Sequence, residues 1–255
     1  MSRLRTLSLA ALLLAPAAWA HFGMIIPSDS MVMMEDNRTL ALTLSFSHPC
    51  EAEGMEMARP AAFGVIADGS RLDLSATLQP TQVLGHAGWK AEYAVKRPGV
   101  LTFFMSPQPY WEPAEDCFIV HHTKSVVAAF GEEEGWNQPV GLPLEIVPLT
   151  RPFGLYAGNV FSGVVLKDGK PLAGAPVEVE YYNRDGRLSP PNDYFITQTV
   201  LTDERGAFHY SPPAAGWWGF AALVEDEKTM PREGQEKSVE LGGVLWVEFT
   251  AWPGP

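Results

Sequence analysis

The chain has 255 residues and a formal net charge of −12, from 18 basic and 30 acidic side chains. That acidity excludes nucleic-acid binding through phosphate neutralisation, and the length suits one large all-β domain or two small ones. Beyond the first twenty residues no apolar run approaches transmembrane length, which excludes stable membrane insertion of the processed chain.

Residues 1–20 read MSRLRTLSLAALLLAPAAWA: Arg3 and Arg5 give a positive start, residues 7–15 are apolar, and Ala18-Trp19-Ala20 fits a small-x-small cleavage pattern. This is the anatomy of a secretory signal peptide, with an apolar run too short to span a bilayer. Cleavage after Ala20 leaves 235 residues (255 − 20) that begin with His21, and loss of two arginines moves the net charge from −12 to −14. The expected location is the periplasm.

After the signal, helix signals are scarce, because prolines and glycines are spread throughout and break any long 3.6-residue period. Short β-rich runs recur instead. Residues 39–46 alternate apolar with small or polar side chains. Residues 91–95 and 99–105 read as a hairpin turned at Arg97-Pro98-Gly99, and 118–122 and 125–130 as further strands. Such spacing predicts a β-sandwich. Residues 144–152 hold two prolines and no periodicity, and mark a boundary.

Past the boundary, residues 159–166 predict a strand, Lys167-Asp168-Gly169-Lys170 a tight turn with the Asp-Gly signal, and 175–182 the next strand. Residues 183–193 read as a polar, proline-rich loop. Residues 198–202 and 207–210 read as a hairpin turned at Asp203-Glu204-Arg205-Gly206, and 217–225 and 243–250 close the set. About six strands suffice for a small immunoglobulin-like sandwich. The expected architecture is all-β: an N-terminal β-sandwich over 21–148 that carries the site and a C-terminal immunoglobulin-like sandwich over 149–255, with no internal repeat.

The candidate chemistry starts at His21. After cleavage it would own a free α-amine, so amine and ring together could chelate a borderline ion such as Ni(II), Co(II) or Cu(II). Its company is His48, at the end of a strand, and His121 and His122. Adjacent strand residues face opposite ways, so only one of His121 and His122 should point at a given site. Neutral nitrogens are required, so binding should weaken as pH falls through the histidine range, ordinarily near 6.5. Cys50 and Cys117 are 67 positions apart (117 − 50). In an oxidising compartment they are expected to form a disulfide, worth on the order of 4 kcal/mol, with thiolate ligation as the other reading. Met24, Met31, Met33, Met34, Met55 and Met57 crowd the N-terminal region and are read mostly as core. His86 reads as a solvated turn residue, and His209 is assigned no role. No phosphate loop, nucleophile elbow or zinc-protease helix is present.

These residues add up to a pattern that resembles the DUF4198 family, also described as the periplasmic component of cobalt/nickel ABC-type uptake systems. The matching pieces are His21-Phe22-Gly23-Met24 directly after the signal with Pro27-Ser28, then Ser47-His48-Pro49 with Glu51 and Gly54-Met55. His121-His122-Thr123-Lys124-Ser125 follows, then Leu144-Glu145-Ile146-Val147-Pro148-Leu149, and Asp168-Gly169-Lys170-Pro171-Leu172-Ala173-Gly174 within 161–176. The resemblance implies a periplasmic protein of two β-domains, the second like fibronectin or carboxypeptidase-regulatory modules. It implies metal binding at His21, His48 and one of His121 and His122. Cys50, where the family often has an aromatic or other residue, departs from the pattern.

The favoured expectation is a non-enzymatic protein that takes Ni(II) or Co(II) and passes it to a membrane metal transporter. The alternatives are a copper carrier, a copper mono-oxygenase using a histidine brace at the same terminus, and a structural or adhesive module without metal.

Overall fold

A computed structural model describes residues 21–254; the signal peptide read from residues 1–20 falls outside them. In chain order the principal strands are β1 (Phe22–Pro27), β2 (Thr39–His48), β3 (Ala62–Ala67), β4 (His86–Ala94), β5 (Gly99–Ser106), β6 (Tyr110–Glu112) and β7 (Cys117–Ala129). They continue with β8 (Leu144–Pro148), β9 (Phe161–Lys167), β10 (Pro176–Tyr181), β11 (Gln198–Leu201), β12 (Ala207–Tyr210), β13 (Gly216–Glu225) and β14 (Val239–Thr250). The all-β reading holds, and the alternation that predicted it explains the layers. In β2, Leu40, Leu42, Leu44 and Phe46 turn inward. They meet Phe63, Val65 and Phe103 of a second sheet in one apolar core.

The smaller sheet runs β1-β2-β4 and then strand Gln79–Val83. The large sheet runs β11-β10-β13-β14-β7-β5-β3, with β6 on the side of β7. A third sheet sets β8 and β12 on either side of β9 and closes a second core, which contains Ile146, Phe161, Phe208, Phe220 and Leu245. Within the large sheet β7 and β14 pair in parallel from Phe118↔Val239 to Ser125↔Trp246. One sheet therefore carries strands from both ends of the chain.

Three local expectations need correction. Residues 91–95 and 99–105 do not form a hairpin: β4 pairs with β2, whereas β5 pairs with β3 and β7. Residues 198–201 and 207–210 likewise part, β11 to β10 and β12 to β9. In both cases the turn is present but works as a corner, carrying the chain from one layer to the facing one. Residues 144–148 are a strand, not an unstructured boundary. Pro148 closes it opposite Gly163 of β9.

Lys124 of β7 is fully buried beside Glu145 of β8, Nζ to Oε2 being 2.7 Å. Burial pulls the lysine below its ordinary range and the carboxylate opposes that shift. Glu145 also accepts the N–H groups of Val140 (3.0 Å) and Gly141 (2.9 Å). Removing one member of such a pair leaves a buried charge alone. Glu145→Gln should cost roughly 3–5 kcal/mol in urea unfolding, and replacing both Lys124 and Glu145 by apolar residues should cost distinctly less.

Candidate functional site

The site begins where β1 enters the smaller sheet. β1 and β2 are antiparallel with Phe22 opposite Ser47, and the same register one residue earlier sets His21 opposite His48. Their rings lie 4.6 Å apart between centroids, and Phe46 stacks on His21 at 5.7 Å. Both histidines are buried, at 5% and 7% exposure. His21 Nε2 lies 3.2 Å from Glu112 Oε2, on the short strand β6. Burial, and then the neighbouring His48 and His121, pull the His21 imidazole down to about 4, against the opposing Glu112 and Glu240. The ring therefore stays neutral where an unperturbed histidine, near 6.5, would take up a proton.

His121 arrives from the large sheet. It is 1% exposed, and its ring meets Phe46 edge-on at 5.8 Å. Two glycines make room for it. A Cβ on Gly23 would clash first with Thr123 Oγ1, and would stand 3.0 Å from the His121 carbonyl oxygen and 3.2 Å from His121 Cβ. A Cβ on Gly242, directly across the parallel register from His121, would stand 2.6 Å from its Cγ and 2.7 Å from its Nε2. The ring therefore lies over bare backbone. His121 Nε2 is 3.1 Å from Glu240 Oε1, and Nδ1 is buried with no hydrogen-bond partner. For Glu240, burial raises the carboxyl and the His121 bond, with the His121 and His21 charges, more than offsets it, so the group sits below its usual range.

Of the histidines named from the sequence, His21 and His48 lie ring against ring, and His121 stands on the same Phe46 ring that stacks on His21. Strand alternation turns His122 the other way, where its Nδ1 meets Ser106 Oγ at 3.0 Å; burial, then His121, lower it to about 4 against Asp226. Among the described residues no group of three or more His, Cys, Asp or Glu side chains is placed so that it could hold a metal ion. Glu112, Glu240 and Gly242 were not singled out from the sequence. The available signal was the Gly242-Gly243 pair inside an apolar strand, a mark of close backbone approach.

The expected Cys50–Cys117 disulfide is absent, and both thiols are free and buried. Cys50 sits in the turn after β2, held to β10 and the segment after it. Its N–H donates to Glu180 Oε2 (3.2 Å) and its carbonyl accepts from Asn183 Nδ2 (2.9 Å). Cys117 opens β7 opposite Glu112, with Sγ 3.8 Å from Glu115 Oε2. Burial, then neighbouring carboxylates, push both thiols up to about 12, which also disfavours thiolate ligation. Among the other candidates, Met24 and Met57 are core, while Met33 and Met34 are exposed. His86 faces Glu56 at the surface, and His209 bonds Ser162 Oγ at 2.7 Å.

Fold and site together define an all-β protein in which three buried histidines from two sheets are gathered around Phe46. The chain belongs to the DUF4198 family, described as a domain of unknown function, whose model matches residues 18–226. No curated protein matches it. Among solved structures it is similar to the adhesin InvE of Yersinia pseudotuberculosis, at 10% identity over 87% of this chain and 58% of that one, with a TM-score of 0.23. It is similar also to a membrane-anchored protein of Corynebacterium diphtheriae, at 10% identity over 90% and 59%, with a TM-score of 0.24. A third likeness is to the native alpha-2-macroglobulin of Escherichia coli spanning domains MG0-NIE-MG1, at 8% identity over 88% and 72%, with a TM-score of 0.26. The chain spans less than two thirds of the first two. With TM-scores this low, the likenesses carry neither fold nor function.

Two measurements check this geometry. Gly242→Ala puts a methyl group into the His121 ring, and such overpacking should lower stability by about 1–3 kcal/mol in thermal unfolding. Glu180 is lifted to about 8 by burial, which outweighs the Thr197 and Cys50 hydrogen bonds and is reinforced by Glu178 and Glu51. Between an unfolded value near 4.3 and that raised value the folded chain holds the extra proton, so stability should fall as pH rises through this window. Glu180→Gln should flatten that decline in urea midpoints measured at about pH 5 and about pH 8.5.

Proposed function

We propose that the processed protein is a periplasmic carrier of a divalent transition-metal ion, nickel or cobalt, which it passes to a membrane uptake transporter. The observation that carries this reading is the convergence of His21, His48 and His121, with His121 Nδ1 buried and unpartnered. An unsatisfied buried nitrogen is costly, and an ion is one partner that would satisfy it. Removal of residues 1–20 would give His21 a free amine, which with ring Nδ1 closes a six-membered chelate. His48 and His121 would add two imidazoles, a donor set suited to Ni(II), Co(II) and Cu(II). The resemblance of these motifs to those of periplasmic cobalt/nickel uptake components is what suggests the transport role. The burial of the three rings, 1–7% exposed, favours a carrier over an oxygenase, which must present its copper at an open face. Copper remains the second reading, because it wins on intrinsic affinity at nitrogen sites.

The test is calorimetry with Ni(II) on protein beginning at His21. One additional residue before His21 should weaken binding by roughly tenfold or more, about 1.4 kcal/mol per factor of ten. His48→Ala should do the same and His122→Ala should not. Equal affinities across the series would sink the terminal chelate.

A further inference from the structure

We infer that Glu112 and Glu240 are the positioning residues of this site: each fixes, through one hydrogen bond, which ring nitrogen its histidine offers to an ion. The inference rests on the metal reading above and goes beyond it by assigning both tautomers and two acidic residues to the site.

Glu112 Oε2 lies 3.2 Å from His21 Nε2, and Glu240 Oε1 lies 3.1 Å from His121 Nε2. A carboxylate can only accept. Each contact therefore draws the ring proton of a neutral imidazole to Nε2 and leaves the Nδ1 lone pair unused. For His121 that nitrogen is the buried atom without a partner. The Cδ2 edge of its ring lies against Gly242, so Nδ1, on the opposite edge, is turned away from β14. At His21 the same choice has a second consequence. Nδ1 is the ring nitrogen close enough to the backbone to close a six-membered chelate with the residue's own amine; Nε2 is on the far side of the ring. Glu112 thus occupies the nitrogen the chelate cannot use and frees the one it needs.

Both carboxylates are anchored by the sheets. Glu112 sits in β6 opposite Cys117, and its Oε1 accepts the Ala114 N–H at 2.8 Å. Glu240 lies in β14, two positions before Gly242 and across from Ile119 of β7. A histidine held by a carboxylate on its remote nitrogen is oriented and made a stronger donor. The same two carboxylates add negative charge one ring-width from an ion that would otherwise be held by neutral nitrogens alone.

Nitrogen-15 NMR of metal-free protein with labelled histidine, together with Ni(II) calorimetry, tests this. His21 and His121 should both be Nε2–H tautomers in the unsubstituted protein. Glu240→Gln, whose amide can donate as well as accept, should release His121 into a tautomer mixture, leave His21 unchanged and lower Ni(II) affinity roughly 10–100-fold. Glu112→Gln should do the converse. An Nδ1–H tautomer at His121 in the unsubstituted protein overturns the inference, as does unchanged Ni(II) affinity in a folded Glu240→Gln variant. If the unsubstituted protein takes up no Ni(II), the metal reading itself fails; if it binds Ni(II) with the wrong tautomer, only the positioning role fails. The NMR reading needs no variant to fold.

Discussion

His121 and His122 lie opposite Gly242 and Gly243 where β7 runs parallel to β14, and the two missing side chains set how closely the layers on each side approach. Toward the smaller sheet, the absent Cβ of Gly242 gives His121 its place. Toward the third sheet, a Cβ on Gly243 would stand 2.8 Å from the Leu144 carbonyl, so β8 comes down onto bare backbone. That approach sets Glu145 against Lys124, which is two positions along β7 from His122 and so on the same face. The histidine site and the buried ion pair are thus two consequences of one cross-strand pairing.

The pairing joins segments far apart in sequence. Glu112 meets His21 across 91 positions and Glu240 meets His121 across 119. The site is complete only when the last long strand is in place, and non-local closure of this kind is entropically costly before it is rewarded. Glu240 and Gly242 also lie beyond the stretch matched by the family model, which ends at residue 226. The histidines are within that stretch; the residues that cradle and orient His121 from β14 are not.

The sequence made the strands legible, because alternation in residues 39–46 or 243–250 reports directly on a half-buried pleat. It also made legible that His121 and His122 diverge, since that follows from the same period of two. Sheet membership was not legible. A turn such as Arg97-Pro98-Gly99 or Asp203-Glu204-Arg205-Gly206 fixes a change of direction, and whether its flanking strands pair or face each other depends on cores assembled elsewhere. Glu112 and Glu240 were hidden for a plainer reason: 30 acidic residues in an acidic chain give no local sign of which few are buried against a histidine.

The net charge of the chain reads from the sequence as solubility, yet part of it is interior. Burial, with Glu240 and Glu115 nearby, lifts Glu178 to about 7, and one of its oxygens is buried without a partner. Next along the same strand pair, Glu180 reaches about 8 and receives the Cys50 N–H, while Cys117 lies among Glu115, Glu240 and Glu112. Each cysteine is thus set in its own acidic pocket, one against β10 and one at the start of β7. Disulfide formation and metal ligation both proceed through the thiolate, which is the form that burial, and then these carboxylates, disfavour. The secretory argument for a disulfide considers compartment and spacing alone. Here burial, reinforced by the nearby carboxylates, opposes it, and the anchoring of Cys50 to Glu180 and Asn183 keeps that turn tied to the second half of the chain instead.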